Sequence, residues 1–150
     1  ALMWGTIQQD AINFGNILHE IMAFIHTKDD VDLAIQKATE LGLITFSQHQ
    51  IFKETIAKIV NHEELISFFD ADAKVYNEQN IIKKATKNSK PDRVVVKDNM
   101  AYLLDYKTGE KHNKHKAQLE EYELALQEMK YTVAKKALIY IGESIEIVTL

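Results

Sequence analysis

Residues 91–109, PDRVVVKDNMAYLLDYKTG, carry the pattern from which we predict the fold of this chain. Residues 92–97 and 100–107 are rich in Val and Tyr, which predicts two strands. The dipeptide Asp98-Asn99 separates them, and both residue types tolerate the left-handed backbone of a two-residue hairpin turn. Consecutive apolar residues in the second run predict a central strand that is covered on both faces.

The turn determines which residues of the two strands face each other. In a hairpin centred between Asp98 and Asn99, Asp92 faces Asp105, whether the loop has two residues or four. Facing residues have β-carbons about 4.5–5.5 Å apart, a distance at which two like charges destabilise a sheet. Lys107 shares a face with Asp105, because side chains two residues apart on a strand point the same way.

A divalent cation would explain the two facing carboxylates. Mg²⁺ prefers oxygen ligands such as carboxylates and water, and substrate phosphate commonly completes its shell. A neighbouring lysine can hold an attacking water or neutralise charge that develops on phosphorus. The alternative is a surface ion pair between Asp105 and Lys107, worth about 0–1 kcal/mol, which leaves Asp92 unexplained. We therefore interpret the three residues as a metal site.

Helices and three further strands surround this hairpin. Apolar residues at helical spacing, with their capping residues, predict helices over residues 8–25, 30–41, 51–60, 63–69 and 117–129. Further strands are predicted over residues 75–82, 134–141 and 145–150. This order predicts one α+β domain over residues 1–150, with a helical part at about 8–70 and a sheet core at about 74–150.

Composition excludes several classes of function. The 150 residues are 46% hydrophobic and 27% charged, which is typical of a globular domain rather than a disordered one. The absence of cysteine excludes disulfides, zinc–thiolate sites, iron–sulfur clusters and thiol catalysis. No apolar run approaches the roughly 18 residues of a membrane span, so we expect no membrane partner and a cytoplasmic location.

The net charge of −4 is unevenly distributed. Residues 83–116, which we call the basic island, hold ten Lys or Arg and four Asp or Glu, a local balance of +6. Such a region can bind an anionic ligand such as a DNA backbone, and Lys111, Lys114 and Lys116 would then contact phosphates. The alternative is a solvated lysine-rich loop. His112 and His115 are assigned to this loop or to phosphate contacts, outside the metal site.

Five short motifs lie in a fixed order between residues 15 and 141. They are GNILH at 15–19, YNE at 76–78, PDR at 91–93, DYKTG at 105–109 and QLEEY at 118–122. Together they resemble the PD-(D/E)xK nuclease superfamily, most closely its RecB-type exonuclease branch, the C-terminal nuclease domain of bacterial helicase–nucleases. A lone D-x-K is weak evidence, whereas five ordered motifs are specific. The resemblance implies a restriction-endonuclease-like core, in which helices flank a central mixed β-sheet behind an N-terminal helical segment.

The resemblance also implies roles for single residues. Asp92 and Asp105, the main-chain carbonyl of Tyr106 and the side chain of His19 would hold Mg²⁺, for which Mn²⁺ would substitute. Lys107 would be the catalytic lysine. Glu78 would support the metal or the lysine, with an exposed strand residue as the alternative.

Two further residues of the predicted catalytic set lie on one helical face, Gln118 and Tyr122. In the branch that the chain resembles, this pair contacts DNA or the lysine. Tyr122 also lies on the apolar stripe of its helix, so plain core packing is its alternative. A buried structural histidine is the corresponding alternative for His19.

These roles predict a metal-dependent DNA nuclease of repair or recombination that hydrolyses phosphodiester bonds, with exonuclease favoured over endonuclease action. The resemblance implies three partners: DNA, a helicase motor domain in cis and a second helicase–nuclease subunit, with the chain being a domain excised from a longer protein. Two alternatives remain, a non-catalytic DNA-binding or scaffolding domain and an unrelated interaction module whose carboxylates are incidental.

Overall fold

A computed structural model of the chain describes residues 2–77, 91–142 and 144–150. The chain divides into two compact units, Ala1–Ala71 and Asp72–Leu150. The boundary falls where the sequence pattern changes from helical spacing to strands. Over these residues no helix has the length and apolarity needed to cross a membrane.

The N-terminal unit is built from helices. They are α1 at Leu2–Met22, α2 at Val31–Glu40 and α3 at His49–Val60, followed by a 3₁₀ helix at Glu63–Phe69. Phe14 of α1 stacks on Phe52 of α3 with ring centroids 4.5 Å apart. Apolar side chains at helical spacing fill the core of this unit, including Leu18, Ile21, Ile35, Ile56, Ile59 and Leu65.

Helix α2 follows Asp30, one of the two residues, Asp29 and Asp30, that the sequence predicts as its N-cap, but the Asp30 side chain makes no capping hydrogen bond to α2. Thr27 caps a 3₁₀ turn that precedes α2: its hydroxyl accepts the Asp29 N–H at 3.2 Å. The carboxylate of Asp30 reaches back to accept the Thr27 N–H at 2.8 Å. The side-chain cap therefore lies at Thr27, before the 3₁₀ turn, because the first N–H groups of that turn have no partner within the helix and need an external acceptor.

The described residues of the C-terminal unit form a five-stranded mixed sheet and one helix. The strands are β1 at Lys74–Asn77, β2 at Arg93–Lys97, β3 at Met100–Thr108, β4 at Thr132–Ile141 and β5 at Ile145–Thr149, and α4 spans Asn113–Glu128. Neighbours pair in chain order, antiparallel except for the parallel pair β3–β4. The predicted α+β class with a mixed sheet is confirmed. The strand predicted over 75–82 begins as β1, and its remainder lies outside the residues that the structure describes.

The hairpin of β2 and β3 has the predicted turn and register. Asp98 and Asn99 adopt φ values of 52° and 67°, the left-handed region that a two-residue turn requires. Val94 pairs with Leu103, as a turn centred between Asp98 and Asn99 demands. Leu103 and its neighbour Leu104 are both fully buried, so β3 is the covered central strand that its sequence predicts.

Helix α4 connects β3 to the parallel strand β4 and packs on one face of the sheet. It begins at Asn113, earlier than the predicted residue 117, because the His112 side chain caps it by accepting the Lys114 N–H at 3.1 Å. The core between α4 and the sheet contains Val94, Ala101, Leu103, Leu119, Tyr122, Ala125, Leu126, Leu138 and Tyr140. Gly109, with φ of 91°, lets the chain turn after β3, so the first turns of α4 lie beside the carboxyl end of β3.

Candidate active site

The two carboxylates that the hairpin predicts to face each other lie side by side. The β2–β3 ladder ends at the pair Arg93–Leu104, and beyond it each aspartate accepts a main-chain hydrogen bond from the opposite strand. The Asp92 N–H donates to Oδ1 of Asp105 at 2.8 Å. The Tyr106 N–H donates to Oδ2 of Asp92, also at 2.8 Å. These reciprocal bonds hold both carboxylates at the end of the hairpin, where the ladder no longer orients the strands.

Burial makes the charge on Asp105 unfavourable. Its side chain is almost fully buried, with a relative exposure of 2% for the residue. This desolvation, followed by the negative charge of Asp92, raises the pKa of Asp105 from 3.8 to about 7, and the ammonium of Lys107 opposes the rise. Strongly shifted carboxylates beside a second charged group are typical of functional sites, where a bound cation stabilises the ionised form.

Lys107 joins the two aspartates to α4. Its Nζ lies 3.2 Å from Oδ2 of Asp105 and donates to Oε1 of Gln118 at 2.7 Å. Gln118 is on α4, so this hydrogen bond links the catalytic-lysine candidate on β3 to the helix that follows it. The structure thus brings together four predicted residues: Asp92, Asp105, Lys107 and Gln118.

A cleft of about 470 Å³ opens beside Lys107 along the first turns of α4. Its lining residues are Lys107, Lys114, His115, Ala117, Gln118 and Glu121. His115 Nδ1 lies 3.0 Å from the hydroxyl of Tyr140 on β4.

The sequence interpretation leaves His115 outside the site, and the structure places it on α4 at the cleft rather than in a loop. Residues three apart on a helix share a face, so the spacing between His115 and Gln118 is the signal that could have identified it. That signal depends on the helix beginning before residue 115, which the hydrophobic pattern does not reveal.

Of the other four residues predicted for the site, one belongs to the core, two keep metal roles that stay predictions, and one lies outside the described residues. Tyr122 is 1% exposed and belongs to the core under α4, which favours its alternative role in packing over a contact with DNA. Tyr106 is buried, its N–H is bonded to Asp92, and a metal contact through its carbonyl stays a prediction. His19 lies half-buried in the last turn of α1, in the N-terminal unit, and its metal role also stays a prediction. Glu78 lies outside the described residues.

The donor set at the hairpin end suits a hard divalent cation. Asp92 and Asp105 offer carboxylate oxygens at one place, and an ionised carboxylate can accept a hydrogen bond and bind a cation at the same time. In the portion of the chain that the structure covers, no three His, Asp or Glu residues form a metal-binding group. Mg²⁺ commonly binds one or two carboxylates and completes its shell with waters and substrate phosphate, so two carboxylates meet its requirement.

Comparison with known proteins does not assign the chain to a family. No family model matches it. One similar protein is Sporulation-specific protein 77 of Saccharomyces cerevisiae, which is 43% identical over 56 residues. The aligned part covers 37% of this chain and 11% of the yeast protein, so the match spans only about a tenth of that protein's length.

Proposed function

We propose that this chain is a metal-dependent deoxyribonuclease that hydrolyses phosphodiester bonds. The observation that carries the proposal is the pairing of Asp92 and Asp105 at the buried end of a hairpin, with Lys107 Nζ 3.2 Å from Asp105. Two carboxylates this close destabilise the fold unless a countercharge is present. Lys107 supplies one positive charge, and a bound divalent cation would supply the rest of the countercharge.

The mechanism follows from the groups at the end of β3. Asp92 and Asp105 would hold Mg²⁺, which would supply Lewis-acid polarisation of a phosphoryl oxygen. The Lys107 ammonium has three N–H donors, and its contacts with Asp105 and Gln118 keep it beside the carboxylates. From there a remaining N–H can orient the attacking water, or stabilise a non-bridging phosphate oxygen as negative charge develops on it. Gln118 limits the directions in which the ammonium can turn.

Two further features support the proposal. The five motifs that resemble the RecB-type branch include the residues that meet at this end of the sheet, Asp92, Asp105, Lys107 and Gln118. The connection from β3 through α4 to the parallel strand β4 is compatible with a restriction-endonuclease-like core. Exonuclease action, a helicase motor in cis, a second subunit and a cytoplasmic location remain predictions of the resemblance and the composition.

A cleavage assay tests the proposal directly. End-labelled linear DNA and closed circular DNA are incubated with the protein in Mg²⁺, Mn²⁺ or EDTA. We expect cleavage of the linear DNA with either metal and none with EDTA, and an exonuclease leaves the circle intact. Asp105→Asn and Lys107→Ala should each lower the rate by at least about 100-fold, since each removes a charged group from the reacting centre.

The matched control is Asp98→Asn, which makes the same chemical change in the turn at the opposite end of the hairpin. Asn tolerates the positive φ of that position, so the fold and the cleavage rate should be retained. Undiminished cleavage by a folded Asp105→Asn variant would refute the assignment of the site.

A non-catalytic DNA-binding domain is the second candidate. The basic cleft supports it, because Lys114 and His115 can contact phosphate without a metal. Calorimetric titration with Mg²⁺ or Mn²⁺ separates the two candidates. Binding heat that disappears in Asp92→Asn supports the nuclease, whereas DNA binding without any metal-binding heat supports the second candidate.

A further inference from the structure

The cleft beside Lys107 has an asymmetric distribution of charge. Lys107 and Lys114 line it together with His115, near the N-terminus of α4. Glu121 lines it further along the helix, so the positive potential is concentrated toward the N-terminal end of α4. The first turn of a 16-residue helix adds the positive end of its dipole on the same side. An anion therefore fits at the Lys114 end and is repelled from the Glu121 end.

His115 is held by a contact with Tyr140, and its surroundings disfavour the charged form of its imidazole. Partial burial, followed by the positive charges of Lys107, His112 and Lys114, lowers the pKa of its imidazole. Nδ1 of the ring lies 3.0 Å from the Tyr140 hydroxyl. When Nδ1 accepts that hydroxyl proton, the single ring proton resides on Nε2, which can then donate to a ligand.

We propose that this cleft binds one phosphate of a DNA strand adjacent to the phosphate at Asp92 and Asp105, with Lys114 as its ionic partner and His115 as a neutral donor that Tyr140 orients. The inference rests on the proposed function, since it places the substrate strand along α4. It also distinguishes among the lysines of the basic island: Lys114 lines the cleft, whereas the exposed Lys116 on the same helix does not.

Binding is measured by fluorescence anisotropy with a labelled single-stranded oligodeoxynucleotide in EDTA, which prevents cleavage, over a series of salt concentrations. Each phosphate contact by a charged side chain contributes about 0.7 to the slope of log K against log salt for single strands. Lys114→Ala should weaken binding and reduce this slope by about 0.7. Lys116→Ala, which removes the same charge from the same helix, should leave both quantities close to those of the wild type.

A neutral donor has a different signature. His115→Ala should weaken binding by about tenfold, the effect of one hydrogen bond to a charged group, and leave the salt slope unchanged. Tyr140→Phe should weaken binding in the same direction by a smaller factor, because it removes only the group that orients the imidazole. Glu121→Gln should strengthen binding, since it removes the repulsive charge from the cleft.

The results separate this inference from the nuclease proposal. Equal effects of Lys114→Ala and Lys116→Ala, or wild-type affinity in a folded His115→Ala variant, would overturn the phosphate site even if Mg²⁺-dependent cleavage is present. Failure of the wild type to bind the oligonucleotide at low salt would overturn it as well. If the variants behave as expected but no metal supports cleavage, the phosphate site stands and the nuclease proposal fails.

Discussion

Lys107 on β3 and Gln118 on α4 are joined by a 2.7 Å hydrogen bond in which Nζ donates to Oε1. The same ammonium lies 3.2 Å from Asp105, so Gln118 holds the lysine beside the carboxylate pair. Gln118 therefore acts on the proposed reaction through Lys107, as a positioning residue.

Replacement of Gln118 should affect catalysis more than stability. Gln118→Ala releases one restraint on the ammonium, and a misplacement of about 1 Å can lower a rate by about 100-fold. We expect a decrease of this order in kcat, with little change in KM or in the urea midpoint. Gln127→Ala, at an exposed position of the same helix, is the control and should retain the wild-type rate. Equal rates in the two variants would show that the hydrogen bond does not position the lysine.

Mg²⁺ should stabilise the folded protein through the carboxylate pair. A ligand that binds only the native state raises the free energy of unfolding by about 2.7 kcal/mol when its concentration is 100 times Kd. Urea unfolding with MgCl₂, compared with EDTA at equal ionic strength, measures this increase. Asp92→Asn should abolish it, whereas Asp98→Asn in the turn should preserve it. An undiminished increase in Asp92→Asn would place the cation elsewhere.

Stability in EDTA should depend on pH through Asp105. Because the folded pKa of Asp105 is raised from 3.8 to about 7, the native state binds this proton more tightly than the unfolded state. The contribution is fully present below about pH 3.8 and is lost as pH rises through about 7. Asp105→Asn lacks this titration, so the free energy of unfolding of the variant minus that of the wild type should increase between pH 4 and pH 7. A constant or decreasing difference would contradict the raised pKa.

The hairpin turn should tolerate glycine better than alanine at Asn99. This residue has φ of 67°, and its side-chain amide donates to the Lys130 carbonyl at 3.1 Å. Asn99→Ala loses the hydrogen bond and strains the left-handed backbone, so it should lower the free energy of unfolding by about 1–2 kcal/mol. Asn99→Gly loses the hydrogen bond but relieves the strain, and should cost less. Identical losses in urea denaturation would show that the backbone conformation is not responsible.

Local sequence patterns predicted the sheet hairpin and the facing pair because both depend on few residues. A two-residue turn determines the register of its strands, and the register brings Asp92 and Asp105 together. The covered strand β3 was also predictable, since apolar residues at consecutive positions require two buried faces. Helix ends were less predictable from the spacing of apolar residues. A 3₁₀ turn capped by Thr27 precedes α2. The His112 side chain caps α4, which therefore begins before its first apolar residue.

The α+β class, the hairpin of β2 and β3 and the apposition of two carboxylates with a lysine were predictable from local patterns, because turn chemistry and side-chain alternation act over short distances. Three contacts of α4 could be learned only from the packed chain: Gln118 reaches Lys107, Tyr122 is buried in the core, and His115 contacts Tyr140 of β4. Those contacts depend on how α4 is rotated and shifted over the sheet. That placement results from packing among many apolar side chains, none of which specifies it alone.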